Sequence, residues 1–180
     1  MSRLTIPSRD HAPAASKPLL DAVERQLGVI PNLFRLVGLS PAALEGYVSL
    51  NGALSKTLDV KTRERIALAI AQVNGCDYCL SAHTYLGLNV AKLDEGEVRR
   101  NRQGHSGDVK ADAAVVFARR VAETRGRVSD AELTAVKSAG YTDAQVVEIV
   151  ANVAINMLTN FINNVAHTDI DFPVVRAEAA

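Results

Sequence analysis

Residues 64–83 read ERIALAIAQVNGCDYCLSAH, and this run decides the fold class. Ile66, Ala69, Ile70 and Val73 recur three or four residues apart, the period of one buried helix face. Asn74-Gly75 stops that helix, because glycine takes the left-handed conformation that closes a helix C-terminus at no steric cost. From Cys76 a fresh helix of about three turns is expected through Leu80, Ala82 and Leu86 to Gly87.

Working outward, the same signals repeat. Ser16 is placed to cap a helix carrying Leu19, Leu20, Val23 and Leu27 and stopped at Gly28. Pro31 starts a short helix through Phe34 and Val37, and Ser40-Pro41 opens another bearing Leu44, Tyr47 and Val48, since proline in a first turn lacks only an N–H that would have no partner there. Asp59 or Thr62 begins the helix that holds Glu64. Residues 96–108, rich in Arg, Gly and Asn with His105, read as a solvated loop. Asp108 or Lys110 to Glu123 is amphipathic through Ala114, Val115, Ala118 and Val121, Ser129-Asp130-Ala131-Glu132 has capping-box spacing, and Thr142-Asp143 opens a long closing helix. No segment alternates as a strand does. The expectation is an all-α, single-domain helical protein spanning residues 17–170. An irregular arm, 1–16, precedes the domain, and an extended tail, 171–180, lies on the surface or on a neighbouring subunit.

Composition narrows the function. The 180 residues carry 20 Lys+Arg against 20 Asp+Glu, so no basic field exists for nucleic-acid phosphates or anionic lipid, and neither is an expected partner. An apolar fraction of 48% suffices for a core, which four Tyr, four Phe and no Trp leave to Ala, Val, Leu and Ile. The N-terminal residues lack the apolar region of a signal peptide, and no uninterrupted apolar stretch of about 18 residues occurs, so a cytoplasmic location is expected. In that reducing compartment two cysteines point to redox chemistry or metal binding before structural cross-linking.

Cys76 and Cys79 form a C-x-x-C and share one helix face near a helix start, where free backbone N–H groups and the dipole favour thiolate. His83 extends the same stripe by one turn and can exchange a proton with either sulfur. Structural zinc is the competing use of such a pair, but it takes four ligands, and Cys76, Cys79 and His83 supply three. Inert buried thiols are the plainer alternative. Glu64, twelve positions before Cys76, would by itself be read as a surface glutamate paired with Lys61, Arg63 or Arg65.

The run Glu64-x11-Cys76-x2-Cys79-x3-His83, with its flanks, resembles the core of the AhpD-like alkylhydroperoxidases of the carboxymuconolactone decarboxylase superfamily. The core likeness covers residues 45–95, and the closing INMLTNFINNVAHTDIDFP is similar to the branch described as peroxidase-related proteins. The resemblance implies an all-helical homo-oligomer, a trimer or hexamer, with no bound cofactor or metal. It implies a proton relay of Glu64 and His83, Cys79 as the thiol that attacks a small hydroperoxide, and Cys76 as its resolving partner. A dihydrolipoyl-type or thioredoxin-like dithiol would then reduce the disulfide. The chain departs from the family at Tyr78, where well-studied members carry a second histidine; a phenol with a pKa near ten can hydrogen-bond but cannot shuttle protons at neutral pH. Two other functions compete. One is a lactone decarboxylase of the same superfamily, which does not need the cysteine pair. The other is a non-catalytic thiol-disulfide sensor.

Shifting the sequence by 84 positions sets Glu64 against Glu148 and His83 against His167, with Asn160 and Asn163 opposite the cysteines. This motivates an internal repeat of helix pairs. Asn156, Asn160, Asn163, Asn164 and His167 read as a polar stripe suited to a subunit contact.

Overall fold

The structure, a computed structural model, describes residues 2–178. Among them the chain forms nine α-helices and no strand, in agreement with the all-α expectation: α1 (Lys17–Leu27), α2 (Asn32–Val37), α3 (Pro41–Leu54), α4 (Val60–Val73), α5 (Asp77–Asn89), α6 (Glu95–Arg102), α7 (Val109–Thr124), α8 (Asp130–Ser138) and α9 (Asp143–Ala166). Most helix starts are written locally. The side chains of Ser40, Asp59, Asp94, Asp108, Ser129 and Thr142 each accept the N–H three residues on, with full capping boxes at Ser129/Glu132 and Thr142/Gln145. Each such cap stabilises its helix by about 1 kcal/mol. Ser16 differs: it makes no cap bond, and its buried hydroxyl donates instead to the Gly38 carbonyl at 2.7 Å, tying the start of α1 to the end of α2.

Helix α4 is the wall between two apolar clusters. Leu68 and Ala71 face a cluster built with α1, α2, α3 and α5, whereas Ile66 and Ile70 face Phe117, Ala118 and Val121 of α7, Val136 of α8, and Ile149 and Val153 of α9. Ile66, Leu68 and Ile70 are fully buried, worth about 1.5–3 kcal/mol each. Helix α9 is long and apolar enough to cross a bilayer by length and composition, but it packs against α3, α4, α5 and α7 and carries four buried asparagines, so it is a core helix of this fold.

Two expectations need correction, and a third narrows to one of its alternatives. The segment read as a solvated loop contains α6, because Asp94 caps it and its charged residues have partners: buried Glu97 pairs with Arg65 at 2.8 Å and accepts the Asn101 amide, the Gly107 N–H and the Ser106 hydroxyl. The C-terminal tail takes the surface alternative, running without helix or strand over its own chain. Asp77 accepts the Ala177 N–H at 2.8 Å and pairs with Arg176 at 2.7 Å, while Ser81 Oγ accepts the Val175 N–H at 2.9 Å. The last two residues of that predicted tail, like Met1 of the arm, lie outside the described residues. Finally, the 84-position repeat fails in that register, because Glu64 to His83 spans two helices and a break whereas Glu148 to His167 runs along the unbroken α9.

Candidate functional site

The break after α4 positions the thiols. Asn74 ends the helix with φ −89°, and Gly75 turns left-handed at φ +58°. The Gly75 N–H returns to Gln72 O and the Cys76 N–H to Ala71 O, the paired bonds of a Schellman motif. Cys76, the residue after that motif, is also the N-cap of α5: its Sγ accepts the Cys79 N–H at 3.2 Å. A side-chain sulfur thus takes the place usually held by a hydroxyl or carboxylate oxygen. Asn74-Gly75 therefore ends one helix and aims the first thiol at the start of the next.

The two helices bring the predicted relay together. Glu64 of α4 and His83 of α5, nineteen residues apart, meet with Oε2 and Nδ1 at 2.8 Å. Glu64 pairs with neither Lys61, Arg63 nor Arg65. Burial opposes charge on His83, but the Glu64 carboxylate and the Cys79 sulfur outweigh it and hold the imidazole pKa above its ordinary value.

The sulfurs are electrostatically unequal. Burial raises the Cys79 pKa, and it is outweighed by a hydrogen bond from the Cys76 thiol, the charge of His83, and the side-chain amides of Asn163 and Asn160, which together bring it down to about 7. The Asn163 contact is a direct Nδ2 to Sγ bond of 3.3 Å. Cys76 is pushed strongly upward by its hydrogen bond to Cys79 and by burial. Cys79 is therefore the sulfur that ionises, with a midpoint near neutral pH, while Cys76 stays a thiol donating to it.

Cys79, His83 and Glu64 line a cavity of about 80 Å³ together with Leu33, Tyr47, Asn51, Arg63, Ala67, Tyr78, Ala82, Asn152, Ile155, Asn156 and Thr159. Cys76 is fully buried behind it. Tyr78 does not stand in for the missing histidine: its hydroxyl accepts the Leu33 N–H at 3.1 Å and also bonds Asp171, and its ring meets Phe172 edge-on at 5.9 Å. Burial raises its pKa further, so it stays neutral.

The reading of the sequence missed Asn163, Asn160, Tyr47 and Arg63. The signal for the asparagines was present, since Asn152, Asn156, Asn160 and Asn163 repeat by helical turns along an otherwise apolar α9. The stripe expected at a subunit contact was Asn156, Asn160, Asn163, Asn164 and His167, and the structure uses its four asparagines within the chain. Asn163 bonds Cys79, Asn160 accepts the Asn74 amide at 2.9 Å, and Asn164 donates to Asn74 O at 2.8 Å.

Residues 41–124, which include all four relay and thiol positions, match the carboxymuconolactone decarboxylase family. The likeness to that family spans a little under half of the chain. The AhpD-like fold is shared over nearly the whole chain with an alkylhydroperoxidase AhpD core protein from Ralstonia eutropha JMP134, described as an uncharacterized peroxidase-related protein (TM-score 0.84, 23% identity, 94% of this chain and 92% of that one). A peroxidase-related protein from Silicibacter sp. TM1040 has TM-score 0.80 at 19% identity, covering 93% and 91%. The debrominase Bmp8, solved as C82A with 2,3,4-tribromopyrrole, has TM-score 0.78 at 19% identity, covering 95% and 94%. At these identities the likeness is one of fold. An uncharacterized protein of Haemophilus influenzae is 47% identical over 45 residues, 24% of this chain and 40% of the length of that curated relative.

Proposed function

We propose that this AhpD-like protein is a thiol-dependent peroxidase that reduces small organic hydroperoxides. The observation that carries this reading is the asymmetry of the cysteine pair at the cavity: Cys79 favours thiolate near neutral pH, while Cys76 stays protonated and hydrogen-bonded to it. The Cys79 thiolate attacks the terminal peroxide oxygen, so an S–O bond forms as the O–O bond breaks. The departing alkoxide takes a proton from His83, which Glu64 holds in its protonated form, and leaves as alcohol. Cys76 then condenses with the sulfenic acid, releasing water and forming the disulfide. An external dithiol of the dihydrolipoyl or thioredoxin-like kind supplies two electrons and two protons to restore the pair.

The deciding experiment weighs reduced protein after one equivalent of alkyl hydroperoxide. Loss of two hydrogens, confined to Cys76 and Cys79 and abolished by Cys79→Ser, is the expected result. Turnover of a carboxylated muconolactone without thiol oxidation would overturn it in favour of the decarboxylase. Repeated cycling with dihydrolipoamide separates an enzyme from a sensor that oxidises once. A homo-oligomer, trimer or hexamer, belongs to the same proposal and is supported by the outward face of α9, where Val147, Val150, Leu158, Phe161 and Val165 are exposed. Sedimentation of wild type against Phe161→Glu tests it.

A further inference from the structure

The cavity beside Cys79 contains a cation that the proposed chemistry does not use. Arg63 lines it, one residue before the relay glutamate on α4. Among the described residues no carboxylate pairs with Arg63. The nearest acid in sequence, Glu64, is committed to His83 at 2.8 Å, and Glu97 takes the other nearby arginine, Arg65, at 2.8 Å. The Nε of Arg63 is buried and meets no protein acceptor. A buried guanidinium N–H without an acceptor is costly, and a carboxylate satisfies Nε and one Nη together in a planar, two-bond pair. Across the cavity, the amide groups of Asn152 and Asn156 donate to the carbonyls of Glu148 and Asn152 on their own helix at 2.8 Å each. Arg63 is therefore the cavity's charged donor still free to bind a ligand.

We propose that the hydroperoxide taken at Cys79 carries a carboxylate, bound by Arg63, so that the substrate class is a small hydroperoxy acid. This deepens the thiol-peroxidase reading and rests on it. Size is consistent with a compact substrate end: the space beside Cys79 is small, about 80 Å³. Arg63 is a specificity residue here, holding the end of the substrate remote from the bond that breaks.

The test compares 2-hydroperoxy-2-methylpropanoate with tert-butyl hydroperoxide, which differ by a carboxylate in place of one methyl. It also compares binding of two unreactive probes, 2,2-dimethylpropanoate and its amide, to the reduced protein. The acid substrate is expected to have a kcat/KM roughly ten- to a hundredfold above the neutral one, a gap that Arg63→Gln closes through KM and Arg63→Lys restores in part. The acid probe is expected to bind at least about tenfold tighter than the amide, again only with Arg63 present. Equal binding of acid and amide, or the same preference in Arg63→Gln, would overturn the inference. Equal loss of both hydroperoxide activities in Arg63→Gln would also overturn it, placing Arg63 on the thiolate rather than on the substrate. Arg63-dependent binding of the acid probe in a protein that reduces neither hydroperoxide would reject the peroxidase reading and keep the anion site.

Discussion

Asn163 donates its side-chain amide to the Sγ of Cys79 at 3.3 Å, joining the long core helix α9 to the first turn of α5. A neutral donor on a thiolate favours the charged form without contributing a charge of its own. Asn163→Ala should therefore move the Cys79 pKa from about 7 back toward its ordinary value, by about one unit, which cuts the thiolate fraction at pH 7 from about one half to about one tenth. The pH profile of iodoacetamide alkylation reads this directly, and an unmoved midpoint would show that the contact does not tune the sulfur.

Peroxide reduction through this site needs Cys79 as thiolate, present above about pH 7, and His83 as imidazolium, present below its raised pKa. The profile of kcat/KM against pH should be a bell with these limits. Glu64→Gln takes away the carboxylate that raises His83, so the alkaline limb moves to lower pH. A less charged His83 in turn leaves Cys79 with a higher pKa, so the acid limb moves up. A bell that narrows from both sides is expected; a uniform drop at unchanged limits would assign Glu64 a different role.

Tyr78 serves structure, through its bonds to the Leu33 N–H and Asp171 and its ring contact with Phe172. Tyr78→Phe removes the acceptor of the Leu33 N–H and should cost about 1–2 kcal/mol in urea unfolding while leaving the pH optimum of peroxide reduction unchanged. A shift of that optimum would instead place the phenol in the proton path.

Glu97 offers a stability test away from the thiols. Burial works against its charge, but Ser106, Gly107, Asn101 and Arg65 outweigh it and hold its pKa at about 2. Because the folded value is depressed, the stabilisation is fully present above the ordinary carboxylate range and is lost as pH falls through about 2. Glu97→Gln leaves Arg65 unpaired in a mostly buried site and should lower stability at pH 7 by about 3 kcal/mol, with a flatter acid limb in thermal unfolding.

Much of this was legible in the sequence, for reasons that are local. Caps at Ser40, Asp59, Ser129 and Thr142 and the stops at Gly28 and Asn74-Gly75 act within a few residues, so the chain shows them plainly. The spacing of Glu64, Cys76, Cys79 and His83 was readable because one tight turn connects their two helices. What escaped depends on distant partners. α6 looks like loop until Arg65 and the turn at Ser106-Gly107 give Glu97 its bonds. Asn163 reaches the Cys79 thiol, and Asn160 the Asn74 amide beside it, only because α9 crosses α4 and α5. Arg63 and Arg65 are alike in sequence, and only packing sends one to Glu97 and the other to the cavity.

The N-cap of α5 is a sulfur that the proposed cycle would consume. While Cys76 is a thiol its Sγ holds the Cys79 N–H; once bonded to Cys79 it is drawn into a new geometry, and the cap must loosen. Oxidation and helix fraying would then be one event, so backbone amide exchange at Cys79 and Leu80 becomes a clock for the redox state, slow in the reduced protein and faster in the disulfide.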